Sequence, residues 1–167
     1  SKEFDYVDDK NLDNDYFILV ESCDQNSFKK ALEKIYKDNL VDEIIVSTNN
    51  TQKESIWQYR LLISESISRY FPIKFDVAVP IKNLPALINR LELFFKNKKT
   101  YNLILFGHLG DGNLHINILN ENKSSKDEYL AIENQIYTII IELNGTISAE
   151  HGIGINKAKA FLRCLLY

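Results

Sequence analysis

The chain lacks several features that mark common protein classes. Among its 167 residues there is no methionine, and the two cysteines, Cys23 and Cys164, stand far apart without a C-x-x-C spacing. Such isolated thiols are typical of a protein in a reducing compartment rather than of a disulfide framework, so we expect a cytoplasmic protein. Because no methionine opens the chain and the apolar pattern Ala160 to Tyr167 stops without a helix cap, we expect a fragment of a longer protein.

Strong charge and long apolar runs are also absent. Lysine and arginine number 20 against 23 aspartates and glutamates, which gives a formal net charge of −3. The lysines are scattered among carboxylates, so a nucleic-acid partner is not expected. No apolar run approaches the roughly 20 residues that cross a bilayer, so no transmembrane segment is expected. The hydrophobic fraction of 45% is sufficient for one ordinary domain.

Hydrophobic periodicity predicts the elements of the first half. Residues 1–15 are polar and acidic and are expected to form a flexible lead-in to a domain over residues 16–167. Strands are predicted at Tyr16 to Glu21 and at Glu43 to Ser47, with a helix capped by Asp24 between them. A polar loop at Asn49 to Glu54 then leads into a helix from about Ile56 to Tyr70.

The second half has a more regular pattern. Strands are predicted at Lys74 to Pro80, Tyr101 to His108, Asn113 to Leu119 and Thr146 to Glu150, and helices at Leu84 to Phe95 and after the capping box of Ser125 and Glu128. This order is βαββαβ, the ferredoxin-like arrangement. It predicts an α+β fold in which helices cover one face of an antiparallel sheet.

The most informative segment is G-H-L-G-D-G-N-L-H at residues 107–115. An Asp-Gly pair between apolar residues predicts a two-residue type I′ turn at Asp111 and Gly112. This turn would place His108 directly opposite His115, with Cβ atoms about 4.5–5.5 Å apart on one face. Two neutral imidazoles suit a divalent transition metal such as zinc.

A carboxylate is the expected third ligand. Glu150 is the best candidate, with Asp76 and Asp111 as alternatives. In the simplest ferredoxin-like ordering, however, Glu150 would lie four or five residues, at about 3.3 Å each, away from His108. Either the topology differs from that ordering, or Glu150 is not the third ligand.

Other polar residues have both functional and structural interpretations. Strand alternation places Lys74, Asp76 and Asn117 on the histidine face. Lys74 at a strand start is most often solvated, and Asn117 is as well explained by a bond across the sheet as by a ligand contact. Arg60 either extends to solvent or pairs with an anion. The glycines of residues 107–112 are assigned to the turn, because no helix follows them to complete a dinucleotide-binding loop.

The chain resembles the C-terminal, substrate-binding domain of the FAD-linked oxidase family. The resemblance is carried by W-Q-Y-R at residues 57–60, K-F-D-V-A-V-P at 74–80, the histidine hairpin, and S-A-E-H-G-I-G at 148–154 with Lys157. The amino-acid sequences of the hairpin and of the last motif are most similar to those of the D-2-hydroxyglutarate dehydrogenase branch. The D-lactate dehydrogenases and glycolate oxidase subunits of the same family rank behind it.

The resemblance implies roles for seven residues. His108, His115 and Glu150 would bind a divalent metal such as zinc, with His151 as the catalytic base. Three residues would bind substrate oxygens, namely Arg60, Lys74 and Asn117.

The resemblance also implies the reaction and the partners. The substrate would be a small D-2-hydroxy acid, oxidised to the 2-oxo acid by hydride transfer to FAD. FAD would be held mainly by a separate domain, in cis or in trans, and which residues of this chain face it is unknown. The fragment alone is not expected to catalyse the reaction. The sequence does not decide whether the protein forms a homodimer. The alternatives are a non-catalytic metal-binding or interaction module and a stand-alone zinc hydrolase.

Overall fold

The computed structural model describes residues 16–120, 124–150 and 152. The chain divides into two compact units, Ser1–Ser66 and Ile67–Tyr167, where the sequence predicts one domain, and each unit is described by itself. The predicted lead-in at residues 1–15 and the apolar pattern at residues 160–167 lie outside the described residues. Within the described ranges, none of the helices is both long and apolar enough to span a bilayer.

The first unit is built on helix α1 (Gln25–Lys37) and on helix α2 (Asn50–Ser68), whose last two residues are assigned to the second unit. As predicted, Asp24 caps α1, and its side chain accepts a hydrogen bond from the Ser27 backbone N–H at 3.1 Å. Helix α2 begins six residues before the predicted Ile56, so the predicted polar loop is wrong. The reason is a second cap: Asn49 Oδ1 accepts from the Gln52 N–H at 2.9 Å, which starts a polar first turn that apolar periodicity does not reveal.

The two strands predicted in this unit are wrong. Neither Tyr16 to Glu21 nor Glu43 to Ser47 joins a ladder, since the sheet of the described residues has three strands and all belong to the second unit. Apolar side chains of both segments remain exposed, including Ile18 at 68% and Val46 at 58%. A strand needs hydrogen bonds from a neighbouring strand, and an apolar run alone does not supply them.

The second unit contains an antiparallel sheet in the order β1-β3-β2. Its strands are β1 (Ile73–Ala78), β2 (Tyr101–His108) and β3 (Asn113–Asn120). The register pairs Asp76 with His115, and His115 in turn with Phe106. Because side chains alternate along each strand, this row of residues shares one face of the sheet.

Two helices cover the opposite face, α3 (Leu84–Phe95) and α4 (Lys126–Glu142). Their buried side chains form one core with those of the sheet, including Leu87, Leu91, Ile116, Ile136 and Ile140, each 0% exposed. Helix α3 has its predicted bounds, and α4 opens with the predicted capping box of Ser125 and Glu128. The predicted α+β fold, an antiparallel sheet with helices on one face, is confirmed.

The segment after α4 returns to the free edge of β1. Thr146 forms an isolated antiparallel bridge with Ala78, and Ile147 is buried in the core. The order is therefore that of a βαββαβ unit, with the last segment beside β1. The strand predicted at Thr146 to Glu150 is wrong beyond this bridge, because the backbone bends after it and its next bond to β1 comes from Ala149 instead of the in-register Ser148.

Candidate metal centre

The loop of the histidine hairpin is longer than the predicted two-residue turn. His108 pairs with Asn113, so four residues, 109–112, connect the strands. Leu109–Asp111 form a single 3₁₀ turn, and Gly112 alone has a left-handed backbone with φ 64°. The type I′ turn is therefore wrong, because it would also require a positive φ at Asp111. Four-residue hairpin loops built around a right-handed turn followed by a left-handed residue are a common alternative.

Gly112 also fixes the hairpin against the end of β1. Its carbonyl accepts a hydrogen bond from the Val79 N–H at 3.0 Å. A Cβ atom at this position would lie only 2.0 Å from the Val79 carbonyl oxygen, whereas one at Gly110 would meet nothing within 4 Å. The loop can approach β1 this closely because residue 112 has no side chain.

The revised register changes how the two histidines meet. His115 is opposite Phe106, so His108 and His115 are diagonal neighbours and not directly opposed as predicted. They remain on the same face, since Phe106 and His108 are two residues apart on one strand. Their ring centroids are 5.6 Å apart with an interplanar angle of 86°, and the Phe106 ring packs 5.2 Å from that of His115.

Glu150 reaches the histidines by crossing the edge of the sheet. The Ala149 N–H bonds to the Asp76 carbonyl at 3.3 Å, and the Glu150 N–H donates to Asp76 Oδ2 at 2.7 Å. The side chain then extends over β3, where Glu150 Oε1 lies 3.5 Å from His108 Nε2. The separation expected from a regular edge strand is wrong, because the bonds to β1 after Thr146 are shifted: Ala149, not Ser148, bonds to the Asp76 backbone, and Glu150 bonds to its side chain.

The three side chains form one cluster of donor atoms. One ligand atom each of His108, His115 and Glu150 lies within 4.8 Å of the others. Tetrahedral ligands at about 2.0–2.2 Å from a zinc ion are about 3.3–3.6 Å apart. The His108–Glu150 pair at 3.5 Å already has this spacing, and donor atoms as far apart as 4.8 Å would have to approach by a little over 1 Å. The side chains are 46%, 16% and 48% exposed, respectively. The donor set therefore fits a divalent cation with a coordination position open to solvent or to a ligand.

Below the cluster lies a buried polar pair that sequence patterns do not single out. Asp76 is 6% exposed and Asn113 is 4% exposed, and Asn113 Nδ2 donates to Asp76 Oδ1 at 3.0 Å. A carboxylate can only accept, so the amide nitrogen must face Asp76 and the amide oxygen must face away. That oxygen is buried and has no hydrogen-bond partner among the residues that the structure describes. An orphaned acceptor beside the histidines fits a site that receives a further polar group.

Sequence reasoning did not identify Asn113 because it assigned the wrong turn. Strand alternation puts Asn113 on the face of His115 with either turn. Only a four-residue loop, however, pairs it with His108 and so brings it level with the cluster. The spacing of the two histidines alone does not distinguish the two loops, since both bring the imidazoles to the same face.

The remaining predicted residues occupy different surroundings. Lys74 is exposed and pairs in register with Asn117 on the histidine face. Asn117 is 3% exposed, and its Nδ2 lies 3.4 Å from the His115 carbonyl oxygen. Asp111, the alternative ligand, is exposed in the hairpin loop and does not join the donor cluster.

Two predicted residues cannot be compared with the cluster directly. Arg60 is half-buried on α2 in the other unit. His151, like Lys157, lies outside the described residues.

The glycines of the hairpin do not form a nucleotide-binding loop. The residue after Gly112 begins β3, not a helix, so the loop lacks the helix N-terminus that binds a dinucleotide pyrophosphate. This loop therefore does not fit the phosphates of a flavin dinucleotide.

Comparisons with known proteins agree with the motifs. The family model described as "FAD linked oxidases, C-terminal domain" matches residues 2–164. A D-2-hydroxyglutarate dehydrogenase of Stutzerimonas stutzeri (strain A1501) is 34% identical over 118 residues, which cover 68% of this chain and 25% of the relative.

Two further relatives cover more of the chain. A D-2-hydroxyglutarate dehydrogenase of Xanthomonas citri pv. viticola is 34% identical over 157 residues, covering 88% of this chain and 33% of the relative. A mitochondrial D-2-hydroxyglutarate dehydrogenase of Danio rerio is 29% identical over 149 residues, covering 85% and 28%. The chain thus spans between a quarter and a third of the length of these relatives.

Proposed function

The chain belongs to the family of FAD-linked oxidase C-terminal domains, and we propose that it is the metal- and substrate-binding part of a flavin-dependent D-2-hydroxy acid dehydrogenase. The observation that carries this proposal is the convergence of His108, His115 and Glu150 on one point of the sheet. Their donor atoms come from two strands and from a segment that crosses the sheet edge, so the fold itself assembles the cluster.

The residues of the cluster would hold the substrate in place through a cation. Two imidazoles and one carboxylate leave part of a divalent ion's coordination shell open. An α-hydroxy acid can fill that part with its hydroxyl and one carboxylate oxygen, which fixes the direction of its Cα–H bond. When bound, zinc would polarise the α-hydroxyl as a Lewis acid, and FAD would accept the hydride.

We assign further roles to Lys74, Asn117, Arg60 and His151. Lys74 is exposed on the same face as the histidines, from which its ammonium can pair with a substrate carboxylate. For Asn117 the shared face supports a contact with a substrate oxygen. Arg60, as a second carboxylate-binding group, and His151, as the base that takes the hydroxyl proton, rest on the family motifs.

We propose 2-hydroxyglutarate as the first substrate to test, ahead of lactate and glycolate. The support is the name that the relatives share, D-2-hydroxyglutarate dehydrogenase. FAD would be held by a domain that acts in cis or in trans. The cytoplasm remains the proposed compartment on the cysteine pattern, although the Danio rerio relative is named mitochondrial. A homodimer is compatible with the proposal and has no specific support.

The proposal is tested by titrating the 167-residue chain with zinc against a chromophoric chelator. We expect stoichiometric binding that is lost in His108→Ala, in His115→Ala and in Glu150→Gln, because each change removes one ligand. Asp111→Asn is the matched control, since Asp111 is an exposed carboxylate of the same hairpin outside the cluster. Circular dichroism would establish that each variant is folded, which we expect because the histidine face is not the core.

Calorimetric titration of the zinc-loaded chain with D-2-hydroxyglutarate then tests the substrate. Saturable binding that depends on zinc and exceeds that of the L-enantiomer is expected, and Lys74→Ala should weaken it without changing zinc affinity. Zinc binding without affinity for any of the three 2-hydroxy acids would instead favour the alternative, a non-catalytic metal-binding module. Unchanged metal content in all three ligand variants would overturn the proposal.

A further inference from the structure

Asp76 connects three separate parts of the metal centre although it does not belong to the donor cluster. It lies on β1, and its Oδ1 accepts a hydrogen bond from Asn113 Nδ2 on β3 at 3.0 Å. The same oxygen lies 3.3 Å from His115 Nδ1. Its other oxygen, Oδ2, accepts from the Glu150 N–H at 2.7 Å. One carboxylate thus meets both a proposed histidine ligand and the backbone of the proposed carboxylate ligand.

The burial of Asp76 requires such partners. Only 6% of the residue is exposed, and a carboxylate removed from water is costly unless donors surround it. The Asn113 amide and the Glu150 N–H provide two donors, and a protonated His115 Nδ1 would provide a third. Both oxygens are therefore directed at donors of the protein, which explains why Asp76 is not among the three residues whose donor atoms converge.

We propose that Asp76 is the positioning residue of this centre, a role that rests on the proposed function of the cluster as a metal site. Its first action is on His115. A neutral imidazole carries one N–H, and the ring nitrogen that faces a carboxylate keeps that hydrogen. Asp76 therefore holds the hydrogen on Nδ1 and leaves the lone pair on Nε2 for a cation. Carboxylates that fix metal-binding histidines in this manner are a general feature of metal sites.

Its second action is on Glu150. The segment 146–150 is bonded to β1 through the bridge of Thr146 with Ala78 and then through Asp76. The bond from the Glu150 N–H to the Asp76 side chain draws the backbone onto the histidine face, where the Glu150 carboxylate meets His108. A regular continuation of the edge strand would have taken Glu150 past this point. Asp76 thus positions two of the three ligands, which come from different elements.

The test compares Asp76→Asn with Asp111→Asn in the full 167-residue chain. The first substitution keeps the volume but leaves one acceptor oxygen, which cannot serve both His115 Nδ1 and the Glu150 N–H, and it turns an amide donor toward the other partner. We expect zinc affinity to fall by about 10–100-fold in Asp76→Asn, the range found when such partners of metal ligands are changed. Affinity should be unchanged in Asp111→Asn.

A tautomer measurement distinguishes positioning from a merely structural effect. Imidazole ¹⁵N chemical shifts of the metal-free wild-type chain, recorded above the usual histidine pKa of about 6.5, should show His115 protonated on Nδ1. The same signals in Asp76→Asn should shift toward the Nε2-protonated form. A loss of stability alone would not change which nitrogen carries the hydrogen.

The outcomes separate this inference from the proposed function. If wild-type His115 is protonated on Nε2, or if Asp76→Asn binds zinc as wild type does, Asp76 does not position the site and the inference is overturned. If the wild-type chain shows the Nδ1 tautomer but does not bind zinc, the proposed function fails while the action of Asp76 on His115 stands. Because the tautomer of His115 is measured in the wild-type chain, the test remains valid even if Asp76→Asn fails to fold.

Discussion

The two units of this chain begin from similar patterns and reach different degrees of packing. Both are predicted to alternate strands with amphipathic helices, yet only Ile67–Tyr167 contains a sheet among the described residues. There, Val77, Leu114 and Ile116 are at most 6% exposed. In the first unit, Phe17 and Ile18 of a predicted strand are 66% and 68% exposed. The comparison teaches that an apolar segment becomes a strand only where a neighbouring strand completes its hydrogen bonds.

The same difference bears on the candidate site. All three residues of the donor cluster belong to the second unit, where the register of the sheet fixes their faces. Arg60, which was predicted to bind substrate, lies on helix α2 of the first unit and stays a prediction. The positions of the candidate ligands are therefore defined best where the hydrogen-bonded strands of the sheet fix them.

The largest expected effect tests whether the apolar side chains of the two units differ in packing. Leu91→Ala, at a fully buried position of α3, should lower the free energy of unfolding by about 2–5 kcal/mol, because it removes buried apolar surface and leaves a cavity. Leu40→Ala is the matched change in the first unit, where Leu40 is 70% exposed, and it should stay within about 0.5 kcal/mol of wild type. Urea unfolding followed by circular dichroism measures both variants. Equal decreases in the free energy of unfolding would contradict the difference in packing between the two units.

A smaller effect is expected at the hairpin loop. Gly112→Ala should destabilise the second unit by about 1–3 kcal/mol, since the new Cβ would meet the Val79 carbonyl oxygen at 2.0 Å and the left-handed backbone disfavours a side chain. Gly110→Ala, with nothing within 4 Å of its new atom, is the control and should have little effect. The same urea unfolding measures both variants. A Gly112→Ala variant as stable as Gly110→Ala would show that the hairpin is not held against β1.

The smallest effect concerns an exposed contact of the first unit. Glu21 accepts hydrogen bonds from Lys53 and from Trp57 Nε1, the latter at 3.0 Å. These donors hold the pKa of Glu21 below its usual value of 4.5, with Lys53 as the larger cause. A lowered carboxyl pKa means that the contact is fully present above the usual pKa and is lost as pH falls through the lowered one.

Fluorescence of Trp57, the single tryptophan of the chain, reports this loss. We expect a transition below pH 4.5 that disappears in Glu21→Gln. It should persist in the control Glu54→Gln, which changes an exposed carboxylate on α2, the helix that carries Trp57. An identical transition in Glu21→Gln would mean that this part of the first unit is not held by the contact.

Much of the second unit could be predicted from its sequence, because local signals there agree with the tertiary structure. The bounds of α3 follow from its apolar spacing, and the start of α4 follows from the capping box at Ser125. Strand alternation placed His108 and His115 on the polar face, because both hairpin loops preserve that face.

Three features could not be predicted, each for a physical reason. The hairpin loop depends on the approach of Gly112 to Val79, a contact between residues distant in sequence. The path of Glu150 depends on its bond to Asp76, 74 residues away. The strands expected at Tyr16 and Glu43 depend on neighbours that propensity does not supply.

X-ray absorption at the zinc edge of the wild-type chain, loaded with one equivalent of zinc, tests the central claim most directly. We predict two imidazole ligands and at least one oxygen ligand at about 2.0–2.1 Å, with the imidazole scattering lost in a His108→Ala, His115→Ala double variant. A spectrum without imidazole scattering, or one that the double variant leaves unchanged, would contradict the claim that this pair of histidines binds the metal.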